Sequence, residues 1–131
     1  MSPFLDDLHF DNAGMRNGRR CIILTSHLRA ITSLGMVEAP AGFMSDGGSI
    51  PKIAWSIVGD GYDECLEEFV IHDLLYSPLN REYSRSEADF ILKELLWNRH
   101  APAFKREAFW MAVRAFGKSR FKAQVRTLPG K

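Results

Sequence analysis

The chain has 131 residues, 46% hydrophobic and 25% charged, a balance that fits one globular domain and excludes a disordered or fibrous protein. Net charge is only +1, yet residues 99–131 carry nine Lys/Arg against Glu107 alone, leaving that segment at +8 and the remainder at −7. Cys21 and Cys65 stand far apart and form no C-x-x-C pair, so the chain has neither a disulfide framework nor a zinc knuckle, and both read as buried thiols.

The opening residues, Met1-Ser2-Pro3-Phe4 followed by Asp6 and Asp7, lack the positive and apolar regions of a secretory signal, and no apolar run approaches membrane-spanning length. The expectation is synthesis in a cytoplasm. Arg20 to Thr25, Leu28 to Thr32 and Met36 to Ala39 are short and rich in β-branched or apolar residues, and Ser33-Leu34-Gly35 between the last two suggests a hairpin. Pro40-Ala41-Gly42 breaks the pattern before Phe43-Met44 and the glycine-rich Ser45-Asp46-Gly47-Gly48. There, Asp46 and Ser49 read first as turn and cap residues.

Ser49 and Pro51 can open a helix reaching Val58, which Gly59-Asp60-Gly61 stops. A second helix is expected from Tyr62 or Asp63 to about Ser77, with Asp63, Glu64, Glu67 and Glu68 near its positive end and Pro78 after it. Ser84-Arg85-Ser86-Glu87 is a capping box for a third helix, through Trp97. Pro102 opens a fourth, about Ala103 to Phe116, with Phe104, Ala108, Phe109, Ala112, Val113 and Phe116 on one broad stripe and Gly117 ending it. Trp55, Trp97 and Trp110 read as core, although Trp110 beside Lys105, Arg106 and Arg114 would also suit a helix lying on a membrane. No repeat or linker divides the chain. The expected fold is α+β, a small N-terminal hairpin or sheet followed by about four packed helices. It is one domain over 1–131, rich in strands and loops over residues 1–48, helical over 49–117 and ending in a basic tail over 118–131.

One constellation could carry chemistry. Cys65, Phe69, His72 and Tyr76 share one helix face, which aims His72 into packed surroundings, while Asp73 points about 100° away. A carboxylate orienting His72 must come from another element, and Asp89 on the next helix is the candidate, with the Tyr76 hydroxyl reaching the same group. The plainer alternative is a satisfied buried polar pair that fixes how two helices dock.

The run His72-Asp73-Leu74-Leu75-Tyr76 with Asp89 resembles the catalytic helix pair of phospholipases A2, especially the disulfide-free form in parvovirus capsid proteins. The resemblance implies His72 as the base that activates water, Asp73 as a Ca2+ ligand, and Tyr76 and Asp89 as orienting groups. The further calcium oxygens would come from Gly59-Asp60-Gly61 or Asp46-Gly47-Gly48. More broadly, the order Pro40 to Pro51, His72-Asp73-x-x-Tyr76, then Ser84-Arg85-x-Glu87-Ala88-Asp89 is similar to an uncharacterised family of phage and bacterial proteins, domain of unknown function 1353. That resemblance implies a phage or prophage origin, synthesis in the host bacterial cytoplasm and incorporation in a virion, without bringing an activity.

Two functions follow as expectations. One is a virion-associated or host-entry domain hydrolysing phospholipid esters, with its basic end drawn to an anionic membrane. The other is a non-catalytic assembly module that docks other phage structural proteins or a second copy of itself. Nucleic acid is a third partner class for the basic segment. Walker, dinucleotide, H-E-x-x-H and G-x-S-x-G signatures are absent from the sequence.

Overall fold

The computed structural model describes residues 2–16, 18–46 and 65–121. Strand β1 (Phe10–Arg16), β2 (Arg19–Leu24) and β5 (Met44–Ser45) form one antiparallel sheet in the order β1-β2-β5, and β3 (Leu28–Thr32) pairs with β4 (Gly35–Ala39) in a second. The expected β3–β4 hairpin is therefore present, and the unexpected strands β1 and β5 flank β2 in the other sheet. β1 slips register against β2 between Asn12 and Met15, where Gly14 takes a positive φ of 85° that suits a bulge.

β3 and β4 alternate cleanly, burying Leu28, Ala30, Val37 and Ala39. The outer edge of β3 is covered by the N-terminal segment: Leu5 N–H donates to Arg29 O and Ile31 N–H to Pro3 O. Asp6 secures this segment by accepting two guanidinium bonds from Arg29, at 2.9 and 2.8 Å, and its backbone N–H at 2.9 Å.

Three helices follow among the described residues: α1 (Leu66–Tyr76), α2 (Arg85–Asn98) and α3 (Ala103–Phe116). The helix expected at 49–58 lies outside the described residues, as do the loop 59–61 and the tail beyond Phe121. α1 is central, with nearly every residue buried, and packs against β4, β5 and α2. Its end is held by Asn80, whose Nδ2 donates to Leu75 O and Tyr83 O while its Oδ1 accepts from the N–H groups of Glu82 and Tyr83. α2 starts with the expected capping box, Ser84 and Glu87 exchanging bonds. Contacts between the end of α1 and the start of α2, and likewise between α2 and α3, make both pairs antiparallel.

The core joins these layers through Phe69 and Phe109, edge to face at 5.1 Å, with Ile71, Leu75, Ile91, Leu92 and Leu95 around them. α3 departs from expectation in which face it buries. Phe109, Ala112 and Val113 are inside, but Phe104 and Phe116 are exposed. The helix is apolar nearly all round, so a second stripe at 104, 108, 111 and 115 competes with the first. Trp97 likewise lies on the surface rather than in the core, and Trp110 is half-buried beneath Lys93.

Candidate functional site

All three helices converge on Asp89. It has no exposed surface, and its two oxygens receive three donors: His72 Nε2 at 2.8 Å and Tyr76 Oη at 2.6 Å on Oδ1, and an Arg114 guanidinium N–H at 2.9 Å on Oδ2. His72 and Tyr76 come from successive turns of α1, so their rings stack obliquely at 4.4 Å between centroids. Of the four residues read as one face, His72 and Tyr76 meet on Asp89, while Cys65 and Phe69 are buried with nearly all the rest of the helix.

Charge follows from these contacts. Burial alone would raise the Asp89 carboxyl, but the hydrogen bonds and charge of His72, with the bonds from Tyr76 and Arg114, hold it below the usual carboxylate range. An ionised Asp89 accepts from His72 Nε2–H, which orients the ring and directs its Nδ1 away from the carboxylate. Burial, the Asp89 bond and its negative charge push the Tyr76 phenol above its ordinary value. Tyr76 therefore donates and stays neutral.

The wall behind Tyr76 is close-fitting. Phe121 meets its ring edge-on at 5.2 Å, and Gly117 lies so near that a Cβ there would stand 2.7 Å from the phenol oxygen and 2.5 Å from Val113 O. Arg85 donates to Val113 O and Arg114 O, carbonyls in the last turn of α3, and so holds that end beside the site.

Asp73 points elsewhere, as its position on α1 requires. Its Oδ2 accepts the Ser45 hydroxyl at 2.5 Å, which joins the end of β5 to α1. Nearby, buried Arg19 has its pKa lowered first by burial and then by the charge of Arg120, while Asp46 and Asp73 oppose that fall. Among the described residues no group of three or more His, Cys, Asp or Glu could hold a metal ion. Asp73, committed to Ser45 and lying in the field of Arg19, supplies one carboxylate only. The glycine residues expected to complete a calcium shell, in 59–61 and 47–48, lie outside the described residues.

Arg114, Arg19 and Ser45 are the participants that sequence reasoning missed. The two arginines carried no local signal, because a basic residue on a helix or strand reads as a solvated face. Among the described residues of the basic C-terminal segment, Arg114 pairs with Asp89, Arg99 with Glu67 and Glu68, and Arg106 lies over the exposed Trp97 ring.

Fold and site together define an α+β domain whose helices are gathered around a buried His-Tyr-Asp-Arg network. The chain belongs to the family described as protein of unknown function (DUF1353), whose model matches residues 23–113. That span includes His72, Asp73, Tyr76 and Asp89, with Arg19 and Arg114 just beyond its ends. Neither a curated protein nor a solved structure matches the chain.

Proposed function

We propose that this domain is a phage-type virion or host-entry component in which His72 acts as general base in the hydrolysis of lipid esters. The observation that carries the reading is the meeting of His72 Nε2 and Tyr76 Oη on the same oxygen of Asp89. This arrangement fixes tautomer and ring orientation together, as a His base requires. The phospholipase A2 resemblance assigns the same roles to His72, Tyr76 and Asp89.

In the reaction, His72 Nδ1 takes a proton from water as the oxygen attacks the ester carbonyl. The tetrahedral intermediate then collapses, and the imidazolium returns the proton to the departing alkoxide, giving fatty acid and alcohol. Asp89 stabilises the imidazolium, and Tyr76 steadies Asp89. The His72 ring has no exposed surface, so the reading requires the packing over it to open when lipid is engaged. Fatty-acid release from phosphatidylglycerol vesicles, lost in a folded His72→Gln protein, is the expected result. Wild-type protein that binds such vesicles without releasing fatty acid would refute the reading.

A second reading has its own support in the complete burial of His72 and Asp89 and the use of both Asp89 oxygens by donors. Here the network only locks three helices in a non-catalytic module that assembles with other phage structural proteins or with itself. It predicts that Asp89→Asn lowers stability or blocks assembly while ester turnover is absent from every variant, wild type included.

A further inference from the structure

We propose that the outer face of the α2–α3 pair is a docking surface for anionic phospholipid. Four large apolar side chains stand out there: Phe90 at 48% exposure and Trp97 at 63% on α2, and Phe104 at 63% and Met111 at 61% on α3. Phe90 and Trp97 are seven residues apart, as are Phe104 and Met111, so each pair lies on one helix face. Cross-helix contacts set the two faces side by side, with the Arg106 guanidinium 4.3 Å from the centre of the Trp97 ring and Lys93 Nζ 4.4 Å from that of Trp110. A grouped patch of this kind marks an interaction site.

Its chemistry selects the occupant. Tryptophan rings paired with Lys and Arg side chains suit the boundary between acyl chains and headgroups, where the apolar body sinks and the cation stays with phosphate. Beyond α3, exposed Lys118 extends the positive rim and borders an open hollow of about 540 Å³ walled by Ala115 and Phe116. The carboxylates on this side have protein partners: Glu87 closes the capping box, Glu94 accepts from Ser33 N–H and Oγ–H, and Glu107 and Lys93 neutralise each other at 3.3 Å, so the charge this face offers is that of Arg106 and Lys118. A second copy docked on the same face would oppose cation to cation, whereas an anionic bilayer complements them.

The surface deepens the lipid-ester reading by naming how the domain reaches its substrate, but binding does not depend on His72 being catalytic. The test is co-sedimentation of the full chain with phosphatidylglycerol vesicles and with phosphatidylcholine vesicles. Variants are Phe104→Ser/Met111→Ser, Lys118→Glu and His72→Gln, each with its oligomeric mass measured by light scattering. Wild type and His72→Gln are expected to partition onto the anionic vesicles, with the Phe104→Ser/Met111→Ser protein weaker by about tenfold or more, Lys118→Glu also weaker, and binding falling with salt. Since the substituted groups are exposed, their folding is checked by thermal melts. Wild-type protein left in the supernatant, or a Phe104→Ser/Met111→Ser protein that binds equally well, would overturn the proposal. So would a concentration-dependent dimer that the same double variant abolishes without vesicle binding. Wild-type protein that binds the vesicles yet hydrolyses nothing would count against the catalytic role of His72 alone.

Discussion

Arg114 on α3 donates to Asp89 Oδ2 at 2.9 Å, so a cation from the basic end of the chain is the counter-ion of the most buried carboxylate on α2. Removing that carboxylate leaves three donors facing one another without an acceptor. Asp89→Ala is expected to cost about 3 to 5 kcal/mol of folding stability, the range for breaking a buried pair from one side. Asp89→Asn should cost less, because one acceptor oxygen survives. Urea unfolding checks this, and a loss within the ~1 kcal/mol of an exposed pair would mean that the network does not hold the helices.

Gly117 is required for space rather than for an unusual backbone angle, its φ of −82° being open to any residue. A Cβ would press on Val113 O at 2.5 Å and Tyr76 Oη at 2.7 Å. Gly117→Ala is therefore expected to destabilise the fold by about 1 to 3 kcal/mol, as overpacking does, and to disturb the Tyr76 ring. Thermal denaturation with near-ultraviolet circular dichroism measures both effects, and an unchanged melt would contradict the close packing.

Local punctuation made much of this fold legible. Pro102 and Gly117 bracket α3, Ser84 and Glu87 cap α2, and Ser33-Leu34-Gly35 turns the β3–β4 hairpin as read. The spacing of His72 and Tyr76 revealed the face that meets Asp89. β1 escaped because Phe10–Arg16 is largely polar with a glycine inside it, and the one strong hint was the Asn17-Gly18 pair ahead of β2. Periodicity could not choose between two apolar stripes on α3, which is why Phe104 and Phe116 read as inward-facing in the sequence yet lie outside. The partners of Arg114, Arg19 and Ser45 are distant in sequence and leave no local trace.

Hydrogen bonds from Arg29 bring the Asp6 carboxyl down to about 2 from an ordinary 3.8, against desolvation that raises it, with help from the Arg29 backbone N–H and the charges of Arg29 and His27. The folded value lies below the unfolded one, so this contribution is complete above about pH 4 and fades as pH falls through about 2. Asp6→Asn should lower the melting temperature at about pH 5 and converge on wild type near pH 2. Equal separation of the two melts at both ends of that window would contradict the assignment.

Asp73 accepts the Ser45 hydroxyl, and among the described residues no group of three or more His, Cys, Asp or Glu could hold a metal beside it. Millimolar calcium should leave the melting temperature unchanged, and Ser45→Ala should lower stability by about 1 kcal/mol, the loss of one buried hydrogen bond. A calcium-dependent rise in melting temperature that disappears in Asp73→Asn would instead establish a metal site completed by other residues.

The most direct measurement is fatty-acid release from phosphatidylglycerol vesicles by wild type and by His72→Gln, in parallel with vesicle binding and thermal melts. An acid–base role predicts release by wild type and a loss of at least about a hundredfold in the variant, with binding and folding kept. Vesicle-bound wild-type protein that releases nothing, or a variant as active as wild type, would contradict it.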